Sequence, residues 1–100
     1  MPEATRRVRV PGDHPSLAGH FPGNPIVPGV LLLELAAEAA RETIGALRVV
    51  CVRSVKFSAP LKPEQDASLV LEWDEQKIRF RCERDGAAIA QGSFDYVRAA

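Results

Sequence analysis

Apolar and polar residues alternate in twos along most of this chain, and one long stretch breaks that period. Arg7-Val8-Arg9-Val10 alternates and stops at Pro11-Gly12, which predicts a short first strand. From Val30 to Ala40 every position is apolar except Glu34 and Glu38, a pattern that predicts a helix buried around most of its circumference. It should run from about Pro28, a residue suited to the first turn, to Ile44, with Gly45 as its stop. Strand signals follow. Val49 to Phe57 is rich in β-branched residues and ends before Pro60, Ala67 to Trp73 alternates, and Lys77 to Glu83 places Ile78, Phe80 and Cys82 on one face. Asp85-Gly86 signals a hairpin turn into a last strand, Ala88 to Val97, carrying Phe94 and Tyr96. The order β-α-β-β-β-β predicts an α+β domain in which a curved antiparallel sheet wraps one long central helix.

Composition narrows what such a domain does. One hundred residues, 46% hydrophobic and 26% charged, suit a single domain spanning 1–100, and so short a chain gains from burying apolar surface against another subunit. Thirteen basic and thirteen acidic residues cancel, which argues against nucleic-acid binding through a general excess of positive charge. Met1 to Arg9 contains no apolar signal region, and the run from Ile26 to Ala40 is too short and interrupted to span a membrane, so a cytoplasmic protein is expected. Cys51 and Cys82 fall in different strands with no neighbouring cysteine or paired histidine. They read as buried thiols, and neither a metal site nor any other cofactor is expected.

Candidate chemistry lies in Gly19 to Glu34, GHFPGNPIVPGVLLLE. Pro22, Pro25 and Pro28 fix the backbone at three points, while Gly23 and Gly29 permit tight turns and close approach. The loop carries His20. The helix behind it carries Glu34, which has Leu31, Leu32, Leu33 and Leu35 as sequence neighbours, and a carboxylate among leucines is expected to be paired, protonated or at work. His14, before Pro15, reads as structural.

This stretch resembles the signature of the 3-hydroxyacyl-[acyl-carrier-protein] dehydratases, hot-dog-fold enzymes of fatty-acid synthesis, in which HFPG precedes a P-hydrophobic-x-PG-V-L segment and an acid on the central helix. His20 and Glu34 stand at the family's spacing, and glutamate brings the match nearer to the non-isomerising branch. Asp13-His14-Pro15-Ser16-Leu17-Ala18 and the short chain are also similar to the small dehydratases of aryl-polyene clusters. The resemblance implies a single hot-dog fold and dehydration of 3-hydroxyacyl thioesters. That reaction needs a base for the C2 proton, an acid for the departing hydroxyl and a donor for charge on the thioester oxygen. His20 suits the first role, Glu34 the second, and the backbone N–H of Gly29 at the helix N-terminus the third.

The resemblance further implies a dimer in which His20 of one subunit faces Glu34 of the other. An acyl chain on the phosphopantetheine of acyl carrier protein would enter a tunnel at that interface, with Val30, Leu31 and Leu33, and also Leu35, as candidate lining. The partner is a second copy or another hot-dog subunit. Glu38 departs from the family's usual glutamine; it lies one turn from Glu34 and is free to act on that carboxylate or to pair with Arg41. The connection after the helix is short, about four residues, which implies an open site. Arg7 and Arg9, or Arg48, Arg53, Lys56 and Lys62, are candidate contacts for an acidic carrier. Two other functions fit the pattern: a hot-dog thioesterase, which leaves His20 without a task, and a non-catalytic acyl-carrier-binding subunit, which has no need of both His20 and Glu34.

Overall fold

A computed structural model describes residues 2–13 and 26–99. They form β1 (Glu3–Val8), α1 (Gly29–Ile44), β2 (Leu47–Phe57), β3 (Ala67–Trp73), β4 (Lys77–Arg84) and β5 (Ala87–Arg98). The strands make one antiparallel sheet in the order β1-β3-β4-β5-β2, and α1 packs on one face of it, the hot-dog arrangement. No helix among the described residues is long and apolar enough to cross a membrane.

The first strand lies earlier than its alternation suggested. Its ladder with β3 runs from Glu3↔Glu72 to Val8↔Ala67, and Val10 leaves the sheet to be buried in the core. Glu3 to Arg6 shows little apolar period because one helix-side position is filled by Arg6, whose guanidinium reaches Glu42 at 2.9 Å and Thr43 at 3.3 Å near the end of α1. The helix matches its expected bounds. Pro28 is the N-cap, and Gly45, at φ 114°, closes the end with its N–H donating to Arg41 O. Only two residues then separate α1 from β2, fewer than the four expected.

One expectation about the helix fails. Leu31, Leu32, Ala36, Ala39 and Ala40 are buried, but Val30, Glu34, Glu38, Arg41 and Glu42 are exposed. Positions 30, 34, 38 and 41–42 follow one another by single turns and form an exposed stripe, which meets the edge of the sheet only toward β1, where Glu42 binds Arg6. One sheet covers one side of a helix, so the described residues do not enclose α1.

The core is built from that buried helix face and the helix-side residues of the sheet, including Leu69, Leu71, Ile78, Phe80, Cys82, Phe94 and Tyr96. Phe80 and Phe94 stack with ring centroids 5.1 Å apart. Cys82 is buried, which pushes its thiol pKa up, and Cys51 is half-buried rather than fully enclosed; both are free thiols. The hairpin between β4 and β5 turns on Asp85 and Gly86, at φ 51° and 78°, as the Asp-Gly pair predicted.

At Gly92 the backbone of β5 lies against that of β2. A Cβ there would stand 2.3 Å from the backbone oxygen of Ser54 and 3.0 Å from the Phe80 ring. Gly92→Ala should therefore force the two strands apart and cost about 1–3 kcal/mol, as overpacking does. The check is a melting curve, with a fall of roughly 4–8 °C expected per kcal/mol; an unchanged transition would mean that β2 yields freely. Beyond this contact β2 is an outer strand with no neighbour on its far side among the described residues, and it exposes Val50 and Val52, at 58% and 45%.

Candidate active site

At the start of α1 the N-cap Pro28 has extended backbone angles (φ −61°, ψ 144°), and among the described residues no side chain caps the helix. Pro28 O accepts from the N–H groups of Leu31 at 3.0 Å and Leu32 at 3.3 Å. Among the described residues nothing accepts from the N–H of Gly29 or Val30, so two donors stand at the positive end of the helix dipole. Beside them lies an apolar cleft of about 490 Å³, lined by Ile26, Val27, Pro28, Gly29, Leu32, the last residue of β2, Phe57, and residues 58–61 after it.

The Phe57 side chain forms one wall of this cleft and rests on Gly29. A Cβ on Gly29 would come within 2.7 Å of the Phe57 ring, so the glycine is needed for this packing as well as for access to its N–H. Phe57 is 51% exposed, unusual for an aromatic ring on the helix side of a sheet. The sequence marked it only as the end of a β-branched run. Its contact with Gly29 joins residues far apart in the chain, and no local signal reveals such a contact.

The other expected site residues divide. His20 lies outside the described residues. Glu34 belongs to the exposed stripe of α1, so it is not enclosed by leucines within one chain. Of the two described candidates, Gly29 lines the cleft and Glu34 does not. Of the candidate tunnel residues, Leu31 is committed to the core, Leu33 is half-buried and packs against it, and Val30 is 64% exposed. Leu32, not among those candidates, faces the cleft. Glu38 is exposed, and Arg41 turns instead to Leu47 O at 3.4 Å.

Among the candidate carrier contacts, Arg9 is bound by Glu64 and Asp66, and Arg53 by Asp95. Arg7, Arg48, Lys56 and Lys62 make no ion pair among the described residues.

Comparison with known proteins agrees with this fold. The family model described as ApeI-like, ApeI dehydratase, matches residues 2–93. The chain belongs to the ApeI-like dehydratase family. A 3-hydroxyacyl-[acyl-carrier-protein] dehydratase FabZ from Thiobacillus denitrificans is 34% identical over 95 residues, which cover 79% of this chain and 66% of that one. The chain spans 46–59% of other FabZ relatives that it matches. Among solved structures, the dehydratase heterocomplex ApeI:P from Xenorhabdus doucetiae superposes with a TM-score of 0.87 at 27% identity, over 96% of this chain and 88% of that one. The gentisyl-coenzyme A thioesterase BH1999, at 18% identity and a TM-score of 0.71 over 94% of this chain and 88% of that one, shares the fold alone.

Proposed function

We propose that this ApeI-like chain catalyses the reversible dehydration of 3-hydroxyacyl thioesters, carried on acyl carrier protein, to trans-2-enoyl thioesters. The observation that carries the reading is a helix start at Gly29 that no described side chain caps and that opens on an apolar cleft, in a dehydratase-family chain that keeps both His20 and Glu34. The acyl chain occupies apolar surface beside Gly29, and the thioester oxygen accepts a hydrogen bond from the Gly29 N–H. His20 removes the C2 proton, charge develops on that oxygen, and the C3–O bond breaks as Glu34 protonates the departing hydroxyl. Water leaves, and proton return from His20 to Glu34 restores both groups.

A second hot-dog subunit completes this site. Glu34 is exposed on the outer stripe of α1, and β2 offers an open edge bearing Val50 and Val52. An unpaired edge of eleven residues is a ready surface for another chain. A partner seated there, either a second copy or a different hot-dog chain, would bring His20 to the Glu34 of its neighbour. The cations at Arg7, Arg48, Lys56 and Lys62 suit an acidic carrier, and a role in fatty-acid or polyene synthesis follows from that choice of substrate.

An enoyl or 3-hydroxyacyl thioester of a small pantetheine mimic separates the functions. The expected result is a change in enoyl absorbance with no free thiol released. Release of thiol without that change would make the chain a thioesterase. Neither signal, from a folded chain with its partner present, would leave a non-catalytic binding subunit.

A further inference from the structure

The face of the sheet turned away from α1 gathers cations on three neighbouring strands. Cross-strand register sets Lys56 opposite Gln91 and Gln91 opposite Arg81. In the next row Ser54 opposes Ser93 and Ser93 opposes Arg79, and beyond it Lys77 opposes Asp95. Ile78, Phe80 and Phe94, which alternate with these residues along β4 and β5, are buried on the helix side, so the rows themselves face outward. There Lys56, Arg79 and Arg81 line a hollow of about 380 Å³ together with Ser54, Gln91 and Ser93.

The formal neutrality of the chain conceals an imbalance on this face. Both acids that β4 and β5 present here are already bound: Asp95 by Arg53, and Glu83 by Arg81 Nε at 3.2 Å. Lys56, Lys77 and Arg79 make no ion pair among the described residues. Glu72 on β3 also lines the hollow, directly opposite Arg79, and is the acid that tempers it. Lys56 and Arg79, with the hydroxyls of Ser54 and Ser93 and the amide of Gln91, furnish donors for carboxylate oxygens.

We propose that this outer face is where the protein carrying the acyl group docks, its acidic side chains meeting Lys56, Arg79 and Arg81. The inference rests on the dehydratase reading and deepens it by naming the surface that receives the carrier. Lys56 and Phe57 are consecutive in β2 and so point to opposite faces, the first into the docking surface and the second into the wall of the cleft. A carrier seated at Lys56 therefore has its acyl arm at the end of the sheet where the two faces meet. A subunit added along the open edge of β2 extends the sheet in its own plane and leaves the outer face free. Arg48 and Lys62, the other cations after the helix that make no ion pair, do not line the hollow.

The test offers one acyl group on two supports, the carrier protein and a small pantetheine mimic, to the active assembly. Lys56→Glu and Arg79→Glu together should raise KM for the carrier-bound substrate by on the order of tenfold relative to KM for the mimic. Arg79→Gln alone should move the same ratio less and in the same direction, which keeps the test decisive if the double variant fails to fold. Wild-type KM for the carrier-bound substrate should rise with added salt, and the double variant should lose that dependence. An unchanged ratio in either folded variant, a salt-independent wild-type KM, or the same rise from Arg48→Glu with Lys62→Glu overturns the proposal. Self-association that the reversals abolish, with the carrier KM unmoved, gives the face to a second copy and overturns it too. A wild-type assembly inert toward both supports overturns the dehydratase reading. Carrier binding followed by fluorescence anisotropy, in wild type and in the double variant, then decides the docking surface on its own.

Discussion

His20→Ala lowers the rate of enoyl-thioester hydration on the order of a hundredfold or more and leaves the melting transition in place. The size follows from the task. Removing a proton from C2 needs a base already within hydrogen-bond reach, and water, the only substitute, is neither positioned nor basic enough. Imidazole, with an unperturbed pKa of about 6.5, is largely neutral near pH 7 and can act without a cofactor to activate it. The fold should survive, because α1 and the helix side of the sheet carry the core. A folded His20→Ala protein with undiminished turnover would remove the histidine from the mechanism and leave Gly29 and Glu34 without a base.

The fold was legible where the sequence carried its own punctuation. Pro28 and Gly45 bracket the apolar run of α1, and alternation marks β3, β4 and β5, so these bounds match to within a residue. The first strand was misplaced because pairing with β3, not its own period, decides its extent. Glu34 teaches a different lesson. Its sequence neighbours Leu33 and Leu35 point about 100° to either side of it on a helix, so they cannot enclose it. The residues that share its face are one turn away, and two of those, Val30 and Glu38, are exposed. A leucine-rich segment therefore predicts a buried helix side without saying which residues lie on the opposite one. The contacts of Phe57 with Gly29 and of Glu64 with Gly12 and Arg9 were beyond reach for another reason, since each joins strands or loops that only the completed sheet brings together. The left-handed angle at Glu64 was equally hidden, because glutamate is not a residue that announces such a conformation.

Under the proposed function, the exposed Glu34 serves a site that a second chain completes, and its substitution gives the other large effect. Glu34→Gln keeps the shape of the side chain but has no acidic proton to give, so dehydration should slow by about 10²–10⁴-fold. Mixing this variant with His20→Ala then tests where the two residues meet. If the base of one chain works with the acid of its neighbour, a mixed dimer of identical fold holds one site with both substitutions and one with neither. After full exchange of equal amounts, half the dimers are mixed and each has one intact site, so about a quarter of wild-type activity should return from two nearly inactive preparations. Exchange is verified by mass, independently of turnover. Verified exchange without recovery would place His20 and Glu34 in one site of a single chain, or give the second half of the site to a different subunit. In the first case the exposed stripe of α1 must be covered from within the chain, and substitutions that charge the β2 edge at Val50 and Val52 should leave activity untouched. In the second, the same substitutions should abolish activity by preventing that subunit from seating along β2.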